Sequence, residues 1–300
     1  MNDKEHIVIN VELADKLIAS QFPHWHDLPI HQIETSGWDN RTFHLGEEML
    51  IRMPSAACYE LQVEKEHQWL PKLAPHLPYA IPTPLAMGNP EFGYPWHWSV
   101  YRLLEGDIAT IDRINNLPQF ATQLGTFLSA LQRIDATGGP LAGSHNFYRG
   151  GPLATYDADT RKSIEILGDK IDANAVTEVW NAALASTWQR APVWVHGDVA
   201  FDNLLVVNGD LNAVIDFGVL GIGDPACDLV MAWTFFKGES RDAFRAALRL
   251  DKDTWARGRG WALWKALIIC APLPGINPIR AEESWRTIDA VLSDHNNEKL

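Results

Sequence analysis

Residues 193–229 read VWVHGDVAFDNLLVVNGDLNAVIDFGVLGIGDPACDL and carry His196, Asp198, Asn203, Asp216, Asp224 and Asp228 among two apolar runs. Side-chain oxygens dominate this set, and they are the donors that a hard cation such as Mg²⁺ takes. His196 stands alone, so the stretch lacks the nitrogen ligands of a zinc hydrolase. The apolar runs predict strands over Leu204–Val207 and 211–215, joined by Asn208-Gly209, the dipeptide whose residues both tolerate the positive φ of a tight hairpin turn. That hairpin sets Asn203, before the first strand, and Asp216, after the second, on neighbouring strands. Asp198 follows a short strand, Val193–Val195, on a tight turn that leaves it free to face the same space.

Other features of the chain bound what it can do. Its 300 residues are 46% hydrophobic, enough for a sizeable core in one or two domains. The formal net charge of −13 argues against a nucleic-acid partner, whose phosphates need a basic surface, and suits a cationic small molecule. Thirteen Trp residues supply core, and can line a pocket for an apolar or cationic ligand. Three dispersed cysteines, Cys58, Cys227 and Cys270, fit no metal spacing and predict reduced thiols. The start MNDKEHIVIN lacks a signal-peptide pattern, and no apolar run reaches a membrane-spanning length. The expectation is a cytoplasmic protein with no membrane partner, a monomer or a homodimer.

The elements that must position these residues follow from periodicity. Residues 7–20 predict a short strand passing into a helix, with Asn10 as N-cap and Val11, Leu13, Leu17 and Ile18 on its apolar face. Residues 30–35, 41–45 and 49–53 predict a three-stranded antiparallel meander. Ser55 is the expected cap of a helix over residues 57–73, with Leu61, Glu64, Lys65, Gln68 and Trp69 at helical spacing. A Pro- and Gly-rich stretch, 75–95, leads to a strand over 96–104, and Gly106 marks a break. Beyond it the pattern is mostly helical: a helix from about Pro118, a Gly-rich loop over 138–152, helices through 164–171 and 176–188, and after the hairpin helices near 227–237, 240–249, 253–271 and 281–294.

The order His196-Gly197-Asp198, Asn203, Ile215-Asp216-Phe217-Gly218, then Gly223-Asp224-Pro225-Ala226-Cys227-Asp228-Leu229, with a hairpin in between, resembles the aminoglycoside phosphotransferase family, a branch of the protein-kinase-like fold. The resemblance extends over residues 30–295. It implies an α+β, two-lobed protein-kinase-like fold: a small antiparallel β N-lobe with a helix, residues 1–104, binding nucleotide, and a larger mainly helical C-lobe, residues 105–300, carrying catalysis and acceptor binding. The implied activity is Mg²⁺-dependent transfer of the γ-phosphoryl group of ATP or GTP to a hydroxyl of a small molecule. An aminoglycoside is the default acceptor, with a role in antibiotic resistance. A macrolide, a small metabolite, or a pseudokinase with a regulatory role are the alternatives.

The resemblance also distributes roles. Asp198 is the implied base and Asn203 and Asp216 the implied Mg²⁺ ligands, while His196, Asp224 and Asp228 brace the catalytic loop: Asp228 by anchoring the helix after Pro225, Asp224 by bonding the loop itself. Ser36, Gly37 and Asn40 occupy the place of the phosphate-covering loop, which here has one glycine. Arg52 replaces the kinase lysine, and an arginine still binds phosphate, bidentately. Its expected helix partner is Glu66, with Glu64 close enough to compete. Backbone groups of Arg102 and Leu104 are expected to bind the purine. Asp202, Glu239, Trp233 and Trp264 are the candidate acceptor residues.

Overall fold

The computed structural model describes residues 7–33, 39–271 and 281–298. Two compact units divide the chain: the first takes Met1–Pro75, Ala80–Glu105 and Val214–Gly218, the second His76–Tyr79, Gly106–Ala213 and Val219–Leu300.

In the first unit Asn10 is extended and accepts the Leu13 amide at 3.0 Å, which starts helix α1 (Val11–Gln21) where the cap rule places it. Residues 7–10 form no strand, contrary to expectation. The meander is present as β1 (Ile30–Gln32), β2 (Asn40–Leu45) and β3 (Met49–Pro54). Helix α2 (Glu60–Leu73) is entered through a 3₁₀ turn, Ala57–Tyr59, so the N-cap positions fall at Ala56 and Tyr59 and not at Ser55, whose amide bonds the Asp39 carbonyl at 2.8 Å. The buried face of α2 also differs from the apolar spacing: Leu61 is exposed, whereas Gln62, Lys65 and Glu66 are buried.

The Pro- and Gly-rich stretch hides a strand, β4 (Pro84–Gly88), and β5 runs only over Trp98–Arg102. Proline at a strand's first residue and glycine at its last read as loop, yet both positions tolerate them. Gly88 is required by contact: a Cβ there would lie 2.0 Å from the Trp98 indole. The five strands pair antiparallel in the order β1-β2-β3-β5-β4. Phe43, Leu45, Ile51, Met53, Trp98 and Val100 form the core against Ala14, Leu17 and Ile18 of α1.

The second unit is mainly helical. Its elements are β6 (Asp107–Ile108), α3 (Leu117–Leu131), α4 (Asp157–Leu167), α5 (Ala173–Leu184), β7 (Val193–Val195), β8 (Leu204–Val207), β9 (Asp210–Val214), β10 (Gly221–Gly223), α6 (Met231–Thr234), α7 (Glu239–Leu248), α8 (Lys252–Cys270) and α9 (Ala281–Asn297). Val214, the end of β9, counts with the first unit. β8 and β9 pair beside β6, with Asn208 at φ 52° and Gly209 at φ 87°, the two positive values that the hairpin turn demands. β7 pairs antiparallel with β10, Val195 opposite Gly221.

Several helices end earlier than periodicity suggests. α4 stops at Leu167 because Gly168 turns to φ 48°, and Trp188 lies beyond α5. The helix expected at 227–237 is a 3₁₀ turn, Pro225–Leu229, followed by the short α6. α8 is buried nearly all round. At Gly260 a Cβ would stand 2.4 Å from Leu153 and 2.6 Å from Ala183, so only glycine permits that approach. α9 is clamped by Asp294, whose carboxylate takes the Trp233 indole and Arg259, both at 3.0 Å, with Arg241 and Arg245 at 3.4 and 3.5 Å. Among the described residues no helix is long and apolar enough to cross a membrane.

Candidate functional site

In the second unit β7 delivers the chain into His196-Gly197-Asp198. Gly197 sits at φ 87°, and a Cβ there would meet the Val219 carbonyl oxygen at 2.8 Å, so the turn needs glycine on both grounds. The fully buried Asp228 carboxylate receives the His196 amide at 2.8 Å and the Gly197 amide at 2.7 Å. Burial pushes this carboxyl up, opposed by His196 and the two amides. The buried His196 takes the Asp198 amide on Nδ1 at 3.2 Å. The expected division of labour between the two aspartates is therefore reversed: Asp228 holds the loop, whereas Asp224 caps the following 3₁₀ turn through the Ala226 amide at 3.1 Å. Asp224 also pairs with Arg257 of α8 at 2.6 Å, and both partners are buried.

Asp198, with its side chain 37% exposed, accepts Lys265 Nζ of α8 on Oδ1 at 2.8 Å. Burial raises the Asp198 carboxyl, but Lys265, by charge and hydrogen bond, with Arg149 and His196, outweighs it and holds the pKa at about 2. Asn203 closes the 3₁₀ turn Phe201–Asn203, and its Nδ2 donates to the Asp198 carbonyl at 2.9 Å. Asp198 and Asn203 are thus brought together across the loop.

The other half of the expected machinery lies within the first unit. Arg52 on β3 reaches Asp216 Oδ1 at 2.9 Å and Glu66 Oε1 of α2 at 3.6 Å. Glu66 also accepts the Tyr101 hydroxyl of β5. Glu64 turns elsewhere, to His97 at 3.7 Å, so Glu66 is the Arg52 partner. Burial works against the Arg52 charge, yet Glu66 and Asp216 outweigh it and hold its pKa above the ordinary value. Burial pushes Glu66 up while Arg52 and Tyr101 pull it down. Asp216 has φ 64°, a left-handed backbone that aspartate tolerates better than most residues.

The remaining expected residues are dispersed. Ser36 and Gly37 lie outside the described residues. Asn40 is buried at the start of β2, opposite Pro54. The Arg102 amide is committed to the Thr83 carbonyl at 3.0 Å, leaving its carbonyl and the Leu104 backbone as the candidates for a purine. Trp233 belongs to the α9 clamp, and Glu239 is exposed at the start of α7. Asp202 lies in the 3₁₀ turn beside Asn203. Trp264 alone of the four acceptor candidates lines a cavity with Asp198, in company with Arg149, Trp261 and Lys265. Arg149 and Lys265 escaped the sequence reading. A lone lysine inside the apolar run Trp261 to Ile269 was the available signal for one of them.

Among the described residues no group of three or more His, Cys, Asp or Glu side chains is placed to hold a metal ion. Mg²⁺ needs less from a protein, one or two side-chain oxygens with the rest from water and phosphate. Asn203 in the second unit donates through Nδ2 and Asp216 in the first is bonded through Oδ1, so each keeps one side-chain oxygen of the kind that Mg²⁺ takes.

An antiparallel sheet with two packed helices, followed by a helical unit carrying a braced His-Gly-Asp loop, defines a kinase-like phosphotransferase fold. The profile of the phosphotransferase enzyme family matches residues 30–261, and the chain belongs to that family. Among solved structures, the GDP complex of wild-type aminoglycoside 2'-phosphotransferase-IIIa is similar with a TM-score of 0.73 at 17% identity, over 96% of this chain and 100% of that one. The GDP and kanamycin complex of APH(2")-IIia gives 0.70 at 19%, over 95% and 99%. Macrolide 2'-phosphotransferase MphH from Brachybacterium faecium, as apoenzyme, gives 0.61 at 20%, over 94% and 98%. A search of curated protein sequences returns no match.

Proposed function

We propose that this chain is a Mg²⁺-dependent kinase that moves the γ-phosphoryl group of ATP or GTP onto a hydroxyl of a small molecule. The observation that carries this reading is Asp198, a half-buried carboxylate kept ionised beside Lys265 on a loop anchored by Asp228. Ionised, it accepts the hydrogen bond of an acceptor hydroxyl and orients it. A carboxylate with a pKa of about 2 is a weak base, so it takes the proton late, once bonding to phosphorus has made the hydroxyl acidic. That order suits the loose transition state of phosphoryl transfer, in which positioning and charge stabilisation do most of the work.

Arg52, braced by Glu66, binds nucleotide phosphates with its guanidinium fork. Ser36 and Gly37, outside the described residues, and Asn40 are assigned to phosphate binding by the family resemblance, and the backbone of Arg102 and Leu104 to the purine. Asn203 of the second unit and Asp216 of the first are the residues that would ligate Mg²⁺, which would neutralise phosphate charge.

Asp198→Asn keeps the shape of the loop and removes the carboxylate. It is expected to fold, melting a few degrees lower because the ion pair with Lys265 is lost, and to lose ~10²–10⁴-fold in kcat in a coupled nucleotide-turnover assay over a panel of alcohols. Full activity in this variant would sink the proposal. Nucleotide binding by the wild type with no acceptor phosphorylated would favour a regulatory pseudokinase instead.

A further inference from the structure

Two cations converge on Asp198 in the second unit. Lys265 uses one of its three donors on Oδ1 at 2.8 Å, and Arg149 lines the same cavity, as do Trp261 and Trp264. The Arg149 guanidinium lies over both indoles, at 5.4 and 5.1 Å, and bonds the Tyr156 hydroxyl at 3.2 Å. Among the described residues no carboxylate forms an ion pair with it. Among the described residues, two positive side chains against one carboxylate leave this cavity wall one positive charge in excess, in a protein whose net charge is −13. The indole N–H groups of Trp261 and Trp264 are buried without a hydrogen-bond partner, a cost that an acceptor oxygen would relieve.

The adjoining cleft shares Lys265 and Val230 with this cavity. It is walled mainly by apolar side chains, among them Val199, Phe201, Ala262 and Ile269, with an exposed Glu283 as its carboxylate. Among the described residues such a wall offers a polycation one exposed acid and sets two like charges in its way. An anionic oxygen group gains charge-assisted hydrogen bonds from an arginine fork and from the spare lysine donors.

We propose that the acceptor carries an anionic oxygen group, a carboxylate or a phosphate, which Arg149 and Lys265 bind beside Asp198, and that polycationic aminoglycosides are excluded. This rests on the phosphotransferase reading, and it replaces the default acceptor that the sequence resemblance implied.

The test is calorimetric titration of the full chain without nucleotide. The probes are 3-phenyllactate, its neutral amide, inorganic phosphate and kanamycin, and the proteins are the wild type, Lys265→Met, Lys265→Arg, Arg149→Met and Asp198→Asn. Phenyllactate or phosphate is expected to bind the wild type, to weaken at least ~tenfold in Lys265→Met and Arg149→Met, and to recover in Lys265→Arg. The neutral amide and kanamycin are expected not to bind. If phosphate binds tighter and displaces phenyllactate, the anion is a phosphate; the reverse order names a carboxylate. Absence of binding by both anions at ~10 mM, anion binding untouched in both Met variants, or kanamycin binding tighter than either anion would overturn the proposal. So would Met variants that raise the KM for nucleotide alone, since the cations would then serve the nucleotide's phosphates. Melting temperatures of the variants separate loss of binding from loss of folding. Binding needs no turnover, so an Asp198→Asn variant that binds anions and stays fully active sinks the phosphotransferase mechanism and leaves the anion site standing.

Discussion

Arg52 keeps a charge in a buried place because two carboxylates face it, Asp216 at 2.9 Å and Glu66 at 3.6 Å, and Tyr101 satisfies the second oxygen of Glu66. Removing one member of such a cluster leaves the others buried and unpaired, at a cost of ~3–5 kcal/mol. Arg52→Lys retains the charge but loses the fork that matches a phosphate. The expected outcome is a folded protein, melting a few degrees lower, with its nucleotide KM raised ~tenfold and a smaller change in kcat. An unchanged nucleotide KM in steady-state kinetics would remove Arg52 from the phosphate site. At this scale the sequence was informative about residue types and poor about partners. It named Arg52 and Glu66, and left Glu64 in competition, because the two glutamates stand two residues apart on a helix whose inward face the apolar spacing does not identify.

Helix α2 illustrates how an element overrides its own pattern. Leu61 is exposed while Lys65 and Glu66 are buried, since the face that carries Glu66 to Arg52 must turn inward and takes Lys65 with it. Burial lowers the Lys65 ammonium to about 8 from 10.5, with Glu66 opposing. Between those two values the unfolded chain binds more protons than the folded one, so stability rises with pH through that window, and below it the full burial cost is present. Lys65→Met is therefore expected to melt higher than the wild type at ~pH 7, with the gap closing as pH rises towards that of an exposed lysine. Thermal melts across pH check this; a gap independent of pH would refute it. β4 makes the complementary case. Pro84 and Gly88 hid it in the sequence, and the contact between Gly88 and Trp98 that requires a glycine exists only once β5 is alongside.

For the molecule as a whole, the helical unit depends on an ionic clamp that no local pattern announces. Asp294 of α9 gathers Arg259, Arg241, Arg245 and the Trp233 indole, and Glu298 joins Arg245 and Arg259. Asp294→Ala leaves Arg259 buried against fewer negative partners. Its expected cost is ~3–5 kcal/mol, read as a lower midpoint in urea unfolding, while replacement of the exposed Glu239 is expected to change nothing measurable. A midpoint within error of the wild type would show that the clamp is dispensable. The same clamp explains why Trp233, an attractive acceptor candidate by composition, serves the core.

By itself the sequence determined the family, the three-stranded meander followed by a mainly helical unit, and the hairpin at Asn208-Gly209. Those features depend on short-range physics: turn conformers open to few residues, alternation, capping, and a motif whose spacing is carried along the chain. The tertiary structure alone decided that Asp228 anchors the His-Gly-Asp loop and Asp224 does not, that Glu66 pairs with Arg52, and that Lys265 and Arg149 stand at Asp198. Each is a contact between residues distant in sequence, fixed by how α2 and α8 rotate to bury their surfaces. α8, buried almost all round, has no apolar stripe from which that rotation could be read.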